Sequence, residues 1–78
     1  MDRSTHSSWL VTSPEPRPQK MLPEPRRAVA RARTYGGDLV TAQVYAIARA
    51  PGFVCVEQEI PGRAPWNAWL PERAVTPV

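Results

Sequence analysis

The sequence predicts a small, mainly β domain behind an extended N-terminal arm, and three observations carry that expectation. Residues 39–49 (LVTAQVYAIAR) alternate between small apolar and polar or aromatic side chains, the period-two pattern of a half-buried strand. Two Pro-Gly pairs, Pro51-Gly52 and Pro61-Gly62, bracket a short run between them, and proline followed by glycine is the residue order of a type II turn. Five prolines fall between Pro14 and Pro25, and none follows until Pro51. Composition therefore divides the chain near residue 26.

Residues 1–26 form the expected arm, flexible, basic and disordered. Pro14-Glu15-Pro16-Arg17 recurs in it as Pro23-Glu24-Pro25-Arg26. Each proline fixes φ and removes a backbone donor, which disfavours both helix and inner strand and leaves extended polyproline-II chain. Trp9-Leu10-Val11 is an apolar exception suited to docking on the domain. Residues 26–34 fit two states. Pro25 in a first turn and Gly36 past the end suit a helix. Alternation suits a strand, with Ala28, Ala30 and Ala32 on one face and Val29, Arg31, Arg33 and Tyr35 on the other.

The remainder is less ambiguous. In residues 39–49, Val40, Ala42, Val44, Ala46 and Ala48 share one face, and Thr41, Gln43, Tyr45 and Arg49 the other. Ala50-Pro51-Gly52-Phe53 turns. Residues 53–60 return as a strand, with Val54 and Val56 opposite Cys55, Glu57 and Glu59. Ile60-Pro61-Gly62-Arg63 turns again, and residues 64–70 place Trp66, Ala68 and Leu70 opposite Asn67 and Trp69. Pro71-Glu72-Arg73 turns, and Ala74-Val75-Thr76 suits a last short strand. Strands at this spacing suggest a small barrel or meander.

The order of Val29-Ala30-Arg31-Ala32-Arg33, a loop, Val44-Tyr45-Ala46-Ile47, Val54-Cys55-Val56-Glu57 and finally Trp69-Leu70-Pro71-Glu72-Arg73-Ala74-Val75 resembles an SH3-like or Tudor-like barrel. The resemblance covers about residues 28–78 and implies five strands, residues 26–34 being the first, with the barrel domain spanning 27–78. Position 74, where peptide-binding SH3 domains carry a closing tyrosine, is alanine, and no Ala-Leu-Tyr-Asp-Tyr-like stretch occurs. Recognition of proline-rich peptides is not expected.

Totals narrow the function. A chain of 78 residues makes at most one domain and buries only about 60% of its unfolded surface. Its single Cys55 cannot form an internal disulfide, and Cys55 with the single His6 cannot complete a zinc site. The N-terminus lacks the apolar core of a signal peptide, and no run reaches the ~20 apolar residues of a membrane span. A cytoplasmic setting is expected, and nine arginines to one lysine suit bacterial GC-rich coding. No catalytic set stands out. Cys55 lacks a positioned base, alternating Glu57 and Glu59 suit a solvated face, and Gly36-Gly37 lacks the Gly-Lys of a phosphate loop. A non-enzyme without cofactor is expected.

Three binding roles remain. The first is a protein-interaction adaptor or regulator using an aromatic face of Tyr45, Phe53, Trp66 and Trp69, since Tyr and Trp anchor interfaces. The second is nucleic-acid binding by Arg26, Arg27, Arg31 and Arg33. Residues 1–33 hold seven Lys or Arg against three Asp or Glu, whereas residues 34–78 hold three against four, so basic charge gathers at this end. The third is a structural subunit, in a homodimer or larger assembly, because so small a domain gains stability from association.

Overall fold

The structure, a computed structural model, describes residues 7–78. Five antiparallel strands, β1 (Lys20–Arg33), β2 (Leu39–Ala50), β3 (Phe53–Gln58), β4 (Trp66–Pro71) and β5 (Val75–Pro77), form one sheet in the order β4-β3-β2-β1-β5. A 3-10 turn at Glu72–Ala74 joins β4 to β5. The fold is mainly β, and its strand order is compatible with an SH3-like fold. The edge strands β4 and β5 do not pair, so the barrel is not closed.

Both Pro-Gly turns behave as their residues require. Gly52 and Gly62 have φ of 78° and 74°, a region that a side chain disfavours, and the Arg63 amide closes the second turn on the Ile60 carbonyl at 3.0 Å. The ambiguous segment 26–34 is strand. β1 pairs with β2 from Arg26↔Ala46 to Arg33↔Leu39, and small Ala28 and Ala30 lie buried between β2 and β5.

Two expectations change here. β1 begins at Lys20, inside the stretch assigned to the arm, and includes Pro23 and Pro25. The register explains how. Met21 faces Ala48 and Arg26 faces Ala46, so residues 22–25 stand against Ile47 alone. The prolines sit in this irregularity, where no ladder hydrogen bond is demanded of them. Ile47 is also the extra residue in the pairing of β2 with β3, where Ala46↔Val56 is followed by Ala48↔Cys55. A bulge of this kind reverses the faces beyond it. Ala48 therefore joins Cys55 and Trp69 on the outer face rather than the alanine-valine face, and Arg49, opposite Val54, moves the other way.

The second change concerns the N-terminal segment. Residues 1–6 lie outside the described residues, so the expectation for His6 and for that part of the arm does too. Residues 7–13 pack on the sheet. Leu10 is 0% exposed and joins the inner core of Ala28, Ala30, Val44, Val54, Val56, Ala68 and Leu70. Its segment spans from the end of β1 to the outer edge of β4. Val11 donates to the Arg33 carbonyl and Ser13 to the Trp69 carbonyl, each at 2.9 Å, while Trp69 donates to Thr12 Oγ1 at 2.9 Å. The Leu10 amide donates to Gln58 Oε1 at 2.9 Å, and Trp66 Nε1 donates to the Leu10 carbonyl at 2.8 Å. A polar backbone is thereby carried into an apolar place with its hydrogen bonds made. Gly36 is part of the same seat, since a Cβ there would stand 2.9 Å from the Ser7 carbonyl oxygen.

Replacing Leu10 with alanine is expected to destabilise the domain by about 2–5 kcal/mol, the usual cost of emptying a leucine site. Urea unfolding followed by tryptophan fluorescence checks this, and a change below about 0.5 kcal/mol would mean that Leu10 is not part of the core.

Candidate binding cleft

The four aromatic residues singled out by sequence do not form one surface. Trp66 and Trp69 lie on opposite faces of β4. Trp66 is half-buried on the inner side, with its ring centroid 4.6 Å from that of Trp9 and 6.1 Å from that of Tyr35 in an edge-on arrangement. It helps to seal the Leu10 end. Trp69 is 8% exposed and belongs to an outer cluster with Ala48 and Cys55, against which Ile47, Ala50 and Phe53 pack. As a buried residue bordered by Thr12 and Ser13, it is part of the frame rather than a free contact. Phe53 is half-buried beside it. Tyr45 is half-buried elsewhere, opposite Glu57, and lines a small cleft with Arg27, Gln43 and Glu59.

The arginine cluster also divides. Alternation along β1 sends Arg26 toward the inner face. Arg33 is engaged locally, donating from Nη1 to the Gly37 carbonyl at 2.8 Å, and Arg31 is exposed opposite Thr41. Arg26 and Arg27 meet two arginines that the sequence pattern did not select, Arg49 and Arg73, around a cleft of about 910 Å³. Its floor is the inner face of the sheet, formed by Ala28, Ala46, Val54 and Val75, with Leu22 from the proline irregularity at one side. This is the end of the curled sheet opposite Leu10; Leu70, paired with Val54, packs into the inner core behind the floor without lining the cleft. Among the described residues Glu72 is the single acidic one in the lining. Among the described residues no ion pair or side-chain hydrogen bond engages any of these four arginines.

The positions follow from local structure. Arg49 reaches the inner face because of the Ile47 bulge, since unbroken alternation would have left it beside Tyr45. Arg73 is presented by the 3-10 turn after Pro71, anchored where the Glu72 amide donates to the Gly52 carbonyl at 2.9 Å. Neither shift is visible in the spacing of the sequence.

Compared with family models, with curated proteins and with solved structures, the chain shows no significant match.

Cys55 is buried, and its thiol is pushed up from 9.0 to about 11, first by burial and then by the negative charges of Glu15 and Glu57. Such a thiol stays protonated and weakly nucleophilic. Because its folded value lies above the unfolded one, its stabilising contribution is complete below about pH 9 and is lost as pH rises through about 11. Urea unfolding at several pH values is expected to show a steeper loss of stability between these limits in the wild type than in Cys55→Ala. Parallel pH profiles would show that the thiol does not titrate differently on folding.

Proposed function

We propose that the protein is a small non-catalytic binding module on an SH3-like frame, acting as an interaction adaptor or regulator, and that it holds an anionic partner in the arginine-rimmed mouth of the barrel. The observation that carries this reading is the convergence of Arg26, Arg27, Arg49 and Arg73 on an apolar-floored cleft. Four guanidiniums gathered around one glutamate repel one another, and a partner that supplies carboxylates or phosphates relieves that repulsion through charge-assisted, two-pronged hydrogen bonds. The strand order and the 3-10 turn between β4 and β5 support the SH3-like assignment. The buried, protonated Cys55 supports a role without nucleophilic catalysis.

A nucleic-acid partner is the second reading, favoured by Arg27 and Arg31, both exposed along β1. Fluorescein-labelled poly-glutamate and a labelled oligothymidylate separate the two. With the mouth as the site, Arg49→Glu/Arg73→Glu is expected to weaken poly-glutamate binding at least about tenfold, the equivalent of roughly 1.4 kcal/mol, while Arg31→Glu leaves it unchanged. Oligothymidylate binding that depends on Arg31 and falls about fifty-fold between roughly 50 and 200 mM salt, as four phosphate contacts on a single strand require, would favour nucleic acid. Loss of binding in Phe53→Ala or Tyr45→Ala, with the arginine double variant unaffected, would return the site to the aromatic residues.

A further inference from the structure

Building on the proposed anionic partner, we infer that the ligand of the mouth is an acidic peptide segment bearing one aliphatic anchor side chain, with the anchor inserted between β1, β2 and β5 and its flanking carboxylates held by the arginines. Charge complementarity requires the acidic part. Among the described residues Arg26, Arg27, Arg49 and Arg73 share the lining with a single acidic residue, Glu72, and carboxylates match the fork of a guanidinium.

The floor requires the anchor. At the opposite end of the barrel the interior is filled by Leu10, which enters on a separate segment and is 0% exposed. At the mouth the same inner face presents Ala28, Ala46, Val54 and Val75, small side chains with about 910 Å³ of open space before them. An aliphatic side chain from a partner can therefore occupy the mouth as Leu10 occupies the far end. The Leu10 seat shows the mode in this chain: an extended segment crosses the end of the barrel, its backbone is hydrogen-bonded by Gln58 and Trp66, and one leucine points inward.

A phosphate polymer fits the rim but not the floor. Bases bind to protein chiefly by stacking on aromatic rings, and no Tyr, Phe or Trp lines this cleft. Leu22, carried on the proline irregularity, adds an apolar wall that a peptide side chain can contact and a phosphate cannot use.

The test uses the full chain and three labelled probes: an acidic heptapeptide with a central leucine, the same peptide with a central serine, and an oligothymidylate of eight residues. Fluorescence anisotropy is expected to give at least about tenfold tighter binding for the leucine peptide than for the serine peptide, the difference that burial of one leucine supports. Ala46→Leu, which fills the floor, is expected to erase that difference by lowering the leucine peptide's affinity to that of the serine peptide. Leu22→Ser serves as a second variant if Ala46→Leu unfolds, and is expected to shrink the difference in the same direction. Equal binding of both peptides, lost in Arg49→Glu/Arg73→Glu, would overturn the anchor inference and leave the anionic-partner reading standing. Tighter binding of the oligothymidylate than of either peptide would overturn it in favour of nucleic acid. No binding of any probe at about 50 mM salt would overturn both readings.

Discussion

The insertion of Leu10 is the interaction on which this structure depends. The inner face of the sheet is lined mostly by alanine and valine, which let the strands curl closely but leave little apolar volume to hold them. Of the three largest fully buried side chains, Leu10, Leu70 and Val56, one comes from outside the sheet altogether. Its arrival organises its surroundings. Trp9 stacks on Trp66, Gln58 bonds to Ser8 and Leu10, and Gly36 admits the Ser7 backbone. In a domain that buries little surface for its length, a segment that closes one end of the core is structural, whatever its sequence composition suggests.

The bulge at Ile47 is the second constraint. It stands unpaired toward both neighbours of β2, opposite residues 22–25 on one side and between Ala46↔Val56 and Ala48↔Cys55 on the other. A strand that passes from one half of a curled sheet to the other has to bend, and a bulge supplies the bend along with a change of face. One consequence is the outer cluster of Ala48, Cys55 and Trp69, which gives the domain a small second core. Another is that Arg49 reaches the mouth.

The two ends of the curled sheet are therefore chemically different. One is sealed by the chain itself, with apolar packing and backbone hydrogen bonds that need no partner. The other is open, apolar at its floor and cationic at its rim. Among the described residues the four arginines make no ion pair, and exposed like charges repel, so their clustering adds little to the stability of the isolated domain. Their placement makes sense as a surface shaped for something that brings the opposite charge, which is the basis of the proposed function.

Local chemistry in the chain determined much of the architecture. Alternation marked the strands of residues 39–49 and 53–60, the second of which ends at Gln58, and the glycines of the two Pro-Gly turns took the positive φ that their order requires. These features depend on neighbours two or three residues apart, so they are legible in one dimension. Residues 26–34 fitted helix and strand alike, the SH3-like resemblance favoured strand, and the pairing with β2 makes them strand. Tertiary structure decided the rest. The prolines argued for unpaired extended chain at Pro23 and Pro25, whereas β1 runs through them as an irregularity that only the register against Ile47 shows. Leu10 joins the core through partners nearly fifty residues away, such as Gln58. Trp69 is buried in the outer cluster with Ala48 and Cys55, which the bulge at Ile47 brings together. Arg49 and Arg73 meet Arg26 and Arg27 through a bulge and a turn, whose effect on facing depends on how strands pair rather than on which residues they contain.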